Sequence, residues 1–518
     1  MTTSGPTVVR NTLANGLGSV LGTIIGVVLT PLVIDRLGIE AYGVWTLALT
    51  LSFAGGYAAL TDVGIEAATV RHVAEAQSVG DQAAINRAVS TTLIVFSCVG
   101  AVLAIAVALA APALVRAFSV DQALRDAATT TFLLIGVQLV LELPARAFTA
   151  VLEGTQNFVT YQIVELSKAL VNGAGTVVVL LTGGGLRGLA VVYVVMTSIG
   201  FVAYWALAHR AVPGLRAGPR HASRTELRKL LTYGTTVFGL RFTGTIHRQM
   251  DKVILGAATD PRYVGIYEIA NKLQLAAAQV QGMFVSALTP ATASLREHRE
   301  VLRDLYLRGT LYTTAVSLPV TLGAILFAEP ILSDWIGPEG TAASGPARLF
   351  LVYLIYTVFN GVGTTMLVAL GRLRELVVFA VIALTVNLAV SIALAHSLKI
   401  NGVILGTLVG GGVVWWPTLH LCLREFGVSV GDWLRRVLAP QVPSIAALAA
   451  VGFPLALLAG EANSLLVDLA ALAVSAGAAV LAFVALGVRG QARAELLDAL
   501  RASVQPRRAV TTSSSPPE

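Results

Sequence analysis

Long apolar runs recur along almost the whole chain, and they constrain its fold more than any motif does. A helix rises about 1.5 Å per residue, so about 20 apolar residues cross the roughly 30 Å hydrocarbon core of a bilayer. Backbone groups in lipid must pair within their own segment, and these runs are continuous rather than alternating. The sequence therefore predicts an all-α polytopic membrane protein with about 14 transmembrane helices. The predicted spans cover residues 12–34, 41–61, 90–114, 127–147, 158–182, 188–208, 232–256, 264–288, 310–333, 347–370, 376–396, 401–422, 439–460 and 464–487.

The composition supports this class of fold. Charged residues make up 13% of the 518 residues, hydrophobic residues 55%, and the mean hydropathy is +0.76. A soluble domain with so little charge could not bury so much apolar surface. These values exclude a soluble enzyme, a disordered chain and a disulfide-stapled secreted domain. Cys98 and Cys422 lie far apart in apolar stretches, so we interpret them as small core residues.

The distribution of Lys and Arg predicts the orientation in the membrane. With the N-terminus in the cytoplasm, 24 of these residues lie on the cytoplasmic side and eight lie outside. This bias favours an even number of spans in a plasma (inner) membrane, with both termini cytoplasmic. The N-terminal residues lack a charged region and a cleavage site, so we expect the first span to be retained.

A basic segment rich in Gly and Pro, residues 211–229, separates six spans from the next six. The segments AYGVWTLA (41–48) and YVGIYEIA (263–270) open the two halves and align Gly43 with Gly265. Such placement predicts two pseudo-symmetric six-helix lobes related by an axis along the membrane normal. The predicted domains are an N-lobe (1–210), a cytoplasmic linker (211–229), a C-lobe (230–436), two C-terminal helices (437–490) and a cytoplasmic tail (491–518).

The seventh span holds the densest group of charges within the membrane. At about 100° per residue, Arg241, Arg248 and Lys252 fall within roughly 40° of one another on the helix surface. Ionisable groups in spans usually face a partner or a water-filled cavity. One interpretation is a cationic surface for an anionic group such as a diphosphate. The other is a static network in which Asp251 or Glu268 neutralises the cations and Lys252 extends to the membrane surface.

Further polar residues within the spans are weaker candidates. Glu165 with Lys168, and Glu268 with Lys272, have spacings that allow pairing on one helix face. Glu142 is a candidate coupling carboxylate, although a surface position explains it as well. Four asparagines either line a pore or form hydrogen bonds between helices: Asn11, Asn15, Asn360 and Asn387.

No catalytic, cofactor or metal motif occurs in a suitable context, and all predicted outer loops are short. Membrane glycosyltransferases and ligases commonly need an outer domain or an acidic loop for their catalytic groups. We therefore expect a protein that is not an enzyme and that needs neither cofactor nor nucleic acid.

Several segments resemble the polysaccharide-biosynthesis flippases, in the superfamily that also contains multidrug extruders and the lipid II flippase. The similar segments are LGIEAYGVWTLALTL (37–51), LTDVGIEAATVRHVAEA (60–76), QMDKVILGAA (249–258), YVGIYEIANKLQ (263–274) and SALTPATASL (286–295). The resemblance implies two lobes around a central cavity that opens to alternate sides. The implied substrate is a polyprenyl-diphosphate-linked oligosaccharide, with membrane lipids and polysaccharide polymerase or assembly proteins as partners. A cationic cavity would comprise Arg241, Arg248, Lys252, Lys168 and Lys272.

Span one departs from two relatives in this superfamily. It has no cation between Asn11 and Asp35, whereas the lipid II flippase places arginines there, and it lacks the carboxylate that many multidrug extruders use. The main alternative is a cation-coupled drug or metabolite extruder of the same fold. A membrane glycosyltransferase and a nonenzymatic scaffold of a polysaccharide assembly complex are further alternatives.

Overall fold

The structure is a computed structural model that describes residues 24–53 and 56–488, without the side chains of residues 233–241, 286, 287 and 290. Asn11, Asn15, the first half of span one and the predicted tail lie outside the described residues. Within the described ranges the chain is almost wholly helical and forms no strand. The predicted all-α fold class is confirmed.

Sixteen α-helices follow one another in the described part of the chain. They are α1 (24–37), α2 (Ile39–Leu49), α3 (Ile65–Val79), α4 (Gln82–Ala117), α5 (Arg125–Gly154), α6 (Phe158–Leu181), α7 (Gly185–Ala211), α8 (Arg224–Ala258), α9 (Pro261–Ser294), α10 (Arg299–Leu326), α11 (Ala328–Ile336), α12 (Pro338–Ala369), α13 (Leu373–Glu425), α14 (Val430–Trp433), α15 (Val442–Ala462) and α16 (Leu465–Ala482). Short 3₁₀ helices cover Tyr57–Asp62, Pro219–His221 and Ala439–Gln441, and π-helical turns cover Leu434–Leu438 and Phe483–Gly487.

Nine helical segments among the described residues are long and apolar enough to cross a membrane. They include α4 to α7, α10, α12 and the last two long helices, and they make this a multi-pass membrane protein. The ninth is α13, whose 53 residues divide at Lys399, which has a φ of 50° and a ψ of −126°. This kink separates the two predicted spans 376–396 and 401–422. Helices α8 and α9, which carry predicted spans seven and eight, are not among the nine, because charged, amide and hydroxyl side chains interrupt them.

The prediction of one continuous span over residues 41–61 is wrong. Helix α2 ends at Leu49, and the chain turns back so that the Tyr57 amide donates to the Thr50 carbonyl at 2.7 Å. Gly56 lies in this turn, where an added Cβ would come within 2.5 Å of two backbone carbonyl oxygens. A glycine is therefore required at this close approach, and the apolar run continues through a turn rather than a helix.

The described residues form two compact units. The first contains the described residues up to Ala276 together with Ala328–Tyr356 and Gly371–Thr418. Within it α5 packs against α4 and α7, and α3 packs against α4 and α5. Its largest core joins residues of α2, α4, α5, α8 and α9, among them Leu47, Phe132, Leu255 and Ile269.

The second unit contains Ala277–Phe327, Thr357–Leu370 and the described residues from Leu419 onward. Within it α15 packs against α16, and both pack against α10. The Gln281 amide donates to the Thr357 carbonyl at 2.6 Å, and Tyr306 stacks on Phe426 with ring centroids 4.7 Å apart. The lobe boundaries proposed from the sequence remain a prediction.

The basic linker is attached to α4 by hydrogen bonds within the first unit. The Arg216 amide donates to Asn86 Oδ1 at 2.9 Å, and the Gly218 amide donates to Ser90 Oγ at 3.1 Å. The Ser223 amide donates to Thr91 Oγ1 at 3.1 Å, just before α8 begins. These contacts fix the path of the linker, although its Gly and Pro content is typical of a flexible segment.

The two glycines of the proposed repeat lie in a close contact between α2 and α9. A Cβ on Gly43 would lie 1.8 Å from the Pro261 carbonyl oxygen, and a Cβ on Gly265 would lie 2.7 Å from the Ile39 carbonyl oxygen. Each glycine therefore allows the backbone of the other helix to approach, as small residues do between membrane helices.

We predict that Gly43→Ala destabilises the protein by about 2–3 kcal/mol, because overpacking of this size forces backbone shifts. The measurement is the thermal unfolding midpoint of purified protein in detergent. Gly345→Ala in α12 is the matched control, since no atom lies within 4 Å of its added Cβ. Equal midpoints for the two variants would contradict the proposed close contact.

Candidate functional site

An ion pair between Lys252 of α8 and Glu268 of α9 lies at the centre of the candidate site. Lys252 Nζ is 2.8 Å from Glu268 Oε2, and the side chains are only 12% and 15% exposed. A short connection between Ala258 and Pro261 makes α8 and α9 antiparallel neighbours. Each residue lies about two turns from that connection, so the sequence brings them to the same depth.

Lys272 lies one turn beyond Glu268 on α9. Its ammonium donates to the Gly26 carbonyl at 3.1 Å and to the Thr30 hydroxyl, and it lies 5.8 Å from the centre of the Tyr42 ring. Glu268 is attracted to both Lys252 and Lys272. Glu268 therefore forms an ion pair with Lys252, whereas Lys272 is nearby and hydrogen-bonded to α1.

Two cavities of the first unit share the Lys252–Glu268 pair. The first, called the α2 cavity, has a volume of about 230 Å³. The second, called the α13 cavity, has a volume of about 340 Å³. Gln249, Lys252 and Glu268 line both, so the ion pair belongs to the boundary between them. The α2 cavity is also lined by Tyr42, Trp45, Thr46, Leu49, Thr50 and Lys272. The α13 cavity is also lined by His247, Arg248, Asp251, Tyr267, Asn271, Gln274, Leu275, Phe350, Tyr353 and Thr407.

Asp251 is 2% exposed and lies at the edge of the α13 cavity. Its Oδ2 accepts hydrogen bonds from the Tyr267 hydroxyl at 3.1 Å and the Thr407 hydroxyl at 2.8 Å. The amide of Asn387 donates to the Thr407 hydroxyl at 2.8 Å. The structure shows no ion pair of Asp251 among the side chains it describes. The hydrogen-bond donors to this carboxylate are neutral, so of the two acids that the static-network interpretation named, it is Glu268 that pairs with Lys252.

The structure describes the side chains of two of the three cations that the sequence places on one face of α8. Arg248 is exposed, lines the α13 cavity and has its Nη2 3.4 Å from Thr245 Oγ1. Lys252 is paired and largely buried, so it does not extend to the membrane surface. The side chain of Arg241 lies outside the described residues.

A second group of charges, called the Arg146 network, lies in α3, α5 and α6. Arg146 is 3.3 Å from Glu142 and 3.7 Å from Glu66, and its guanidinium lies 4.5 Å from the centre of the Phe53 ring. Lys168 is 3.0 Å from Glu165, which also accepts a hydrogen bond from Tyr204. A cavity of about 20 Å³, room for about one water molecule, is lined by Glu142, Arg146, Glu165 and Lys168. Glu142 is thus a paired residue rather than a surface one.

The structure divides the sequence candidates into separate groups. Arg248, Asp251, Lys252, Glu268 and Lys272 line the two cavities, and Asn387 supports Asp251 through Thr407. Glu142, Glu165 and Lys168 belong to the Arg146 network. Asn360 is buried in the second unit.

Sequence reasoning missed five residues of these sites: Thr30, Tyr42, Trp45, Arg146 and Thr407. Tyr42 and Trp45 lie in the AYGVWTLA segment. The alignment of this segment with YVGIYEIA is the sequence feature that could have pointed to them as site residues. Arg146 lies at the cytoplasmic end of the predicted span 127–147, where a cation is expected from the charge distribution alone.

Comparison with known families identifies the class of protein. A family model described as polysaccharide biosynthesis protein matches residues 36–339, more than half of the chain. The chain belongs to the polysaccharide biosynthesis protein family. The resemblance inferred from the sequence is confirmed. No curated protein sequence matches this family member.

Solved structures show that this polysaccharide biosynthesis protein has the fold of MOP-superfamily transporters. The lipid II flippase MurJ in an inward closed conformation has a TM-score of 0.67 at 13% identity, over 90% of this chain and 98% of MurJ. An inward-facing MATE-family multidrug resistance transporter has a TM-score of 0.63 at 14% identity, over 78% and 98%. A MOP-superfamily transporter from Pyrococcus furiosus has a TM-score of 0.56 at 15% identity, over 81% and 95%.

We predict that Arg146→Met destabilises the protein by about 3–5 kcal/mol, because it leaves the buried carboxylates of Glu66 and Glu142 without their cation. Thermal unfolding of purified protein measures the effect. Arg71→Met is the control, since its pair with Glu75 is more than half exposed and an exposed pair contributes at most about 1 kcal/mol. An Arg146→Met variant as stable as the control would refute a structural role of the network.

Proposed function

We propose that this protein is a flippase that moves a polyprenyl-diphosphate-linked oligosaccharide from the cytoplasmic to the outer leaflet by alternating access. The product would serve cell-surface polysaccharide synthesis. The observation that carries this proposal is that two lysines, Lys252 and Lys272, line one cavity of a multi-pass membrane protein together with the single acid Glu268. Family membership supports the polysaccharide connection.

The charges of the α2 cavity suit an anionic ligand. Lys252 and Lys272 supply two positive charges and Glu268 one negative charge, so the lining carries a net positive charge. Fixed cations in a low-dielectric setting stabilise a diphosphate that would otherwise lose its hydration. The same net charge repels drug cations, which weighs against the alternative of a multidrug extruder of this fold.

The α2 residues that line the α2 cavity suit a sugar. Trp45 is held edge-on against Tyr193, with ring centroids 5.8 Å apart, and it lines the cavity beside Tyr42. An aromatic face packs against the C–H groups of a sugar ring, and hydroxyls such as those of Thr46 and Thr50 can replace water at its oxygens. The lipid tail can remain in the bilayer.

Asp251 is the proposed coupling residue. A carboxylate this deeply buried among neutral donors is stabilised by taking up a proton or by binding a small cation. The hydroxyls of Tyr267 and Thr407 and the oxygen of the carboxylate are ligands that hard cations prefer. Energy from an ion gradient could therefore enter at the edge of the α13 cavity.

The proposal includes a place in the cell and partners. We propose that the protein lies in the plasma membrane with both termini cytoplasmic, as the distribution of Lys and Arg predicts. A polysaccharide polymerase or assembly protein would take up the flipped glycan.

We predict that Lys252→Met combined with Lys272→Met reduces flipping at least about tenfold, because the diphosphate loses both cations, a loss worth more than about 1.4 kcal/mol. The assay follows a fluorescent polyprenyl-diphosphate glycan in proteoliposomes through its accessibility to an impermeant quencher. Lys229→Met is the control, because Lys229 is exposed and lines neither cavity. Flipping at the control rate by the double variant would refute the proposed function.

We predict that Asp251→Asn retains binding of farnesyl diphosphate but loses the stimulation of flipping by an imposed proton or sodium gradient. An amide keeps the hydrogen bonds of the site yet carries no negative charge to be neutralised. The measurement compares flipping with and without each gradient. Gradient-stimulated flipping in Asp251→Asn would show that coupling occurs elsewhere.

A further inference from the structure

We infer that Glu268 is an internal counter-anion, which occupies the place of phosphate in the empty protein and which a diphosphate displaces. This inference rests on the proposed function and assigns to one residue of its site a role in setting the affinity for the anion and in its release.

The first step concerns the position of Glu268. Its Oε2 lies 2.8 Å from Lys252 Nζ, and Lys272 attracts it from the next turn of α9. A phosphate oxygen accepts hydrogen bonds from ammonium groups in the same way as a carboxylate oxygen. The carboxylate therefore occupies, beside Lys252, the position that a phosphate oxygen would take.

The second step concerns the boundary between the cavities. Lys252 and Glu268 line both the α2 cavity and the α13 cavity. Movement of the Glu268 side chain away from Lys252 would remove a contact from this boundary and connect cavities of about 230 Å³ and 340 Å³. A headgroup larger than either cavity could then extend across both.

The third step is a comparison of charges. A sugar linked through one phosphate carries one negative charge, so its exchange with Glu268 leaves the charge beside the lysines unchanged. A sugar linked through a diphosphate carries two negative charges, one for each lysine. Displacement of a carboxylate from a buried ion pair is unfavourable unless the new anion interacts better than the old one. A diphosphate meets this condition, and the cost of displacing Glu268 is the same for every anion that binds beside Lys252.

The fourth step concerns release. After the diphosphate leaves, Glu268 can return to Lys252 and stabilise the empty protein. Without the carboxylate, both lysines would be uncompensated after release, and the bound state would be favoured. Glu268 thus weakens binding and assists turnover at the same time.

The test measures binding of farnesyl diphosphate and farnesyl monophosphate to the full-length protein in nanodiscs by calorimetry. For Glu268→Gln we expect the Kd for each ligand to fall about tenfold, which corresponds to about 1.4 kcal/mol, because neither anion then has to displace a carboxylate from Lys252. In proteoliposomes, the same variant should flip the fluorescent glycan lipid more slowly than the wild type.

Glu226→Gln is the matched control, because Glu226 is a buried acid that pairs with Lys229 and lines neither cavity. Its two dissociation constants should equal those of the wild type. Glu268→Asp is a second variant, which keeps the charge on a shorter side chain and should bind both ligands with affinities between those of the wild type and Glu268→Gln.

The outcomes separate the inference from the proposed function. If the wild type does not bind farnesyl diphosphate, the proposed function fails together with the inference. If the wild type binds it and Glu268→Gln binds with equal or lower affinity, Glu268 is a structural partner of Lys252 and the inference alone fails.

Discussion

The ion pair between Lys252 and Glu268 is the interaction on which the candidate site depends. It joins α8 to α9 at a depth where neither charge could remain alone, and it lies at the boundary of two cavities. Because Lys272 lines the α2 cavity beside this pair, the lining carries one more positive than negative charge. That excess is the feature from which we propose binding of an anion.

The first unit compensates its buried charges in three different ways. Lys252, Lys272 and Glu268 leave a positive excess, whereas Asp251 is surrounded by neutral hydroxyls. In the Arg146 network, three carboxylates accompany two cations, and the small cavity that Glu142, Glu165 and both cations line has little room for a ligand. The first arrangement suits a large anion, the second a proton or small cation, and the third a structural role. Charged residues that occupy similar positions in predicted spans therefore differ in how neighbouring side chains neutralise or hydrogen-bond them.

Apolar runs were sufficient to predict the helical class and most spans, since a bilayer demands a minimum length and internal hydrogen bonding. Spacing on α8 and α9 was sufficient to single out Lys252, Glu268 and Lys272. Contacts between distant residues were not predictable in this way: Thr407 donates to Asp251 from 156 positions away. The turn at Gly56 and the docking of the linker on α4 depend on backbone hydrogen bonds, which leave no periodic pattern in the sequence.

The most direct test of the central claim is a cryo-electron microscopy structure of the protein with a bound polyprenyl-diphosphate glycan. The account predicts phosphate density within hydrogen-bonding distance of both Lys252 and Lys272, with the Glu268 carboxylate moved away from Lys252. Phosphate density elsewhere, with the Lys252–Glu268 contact still at about 2.8 Å, would contradict it.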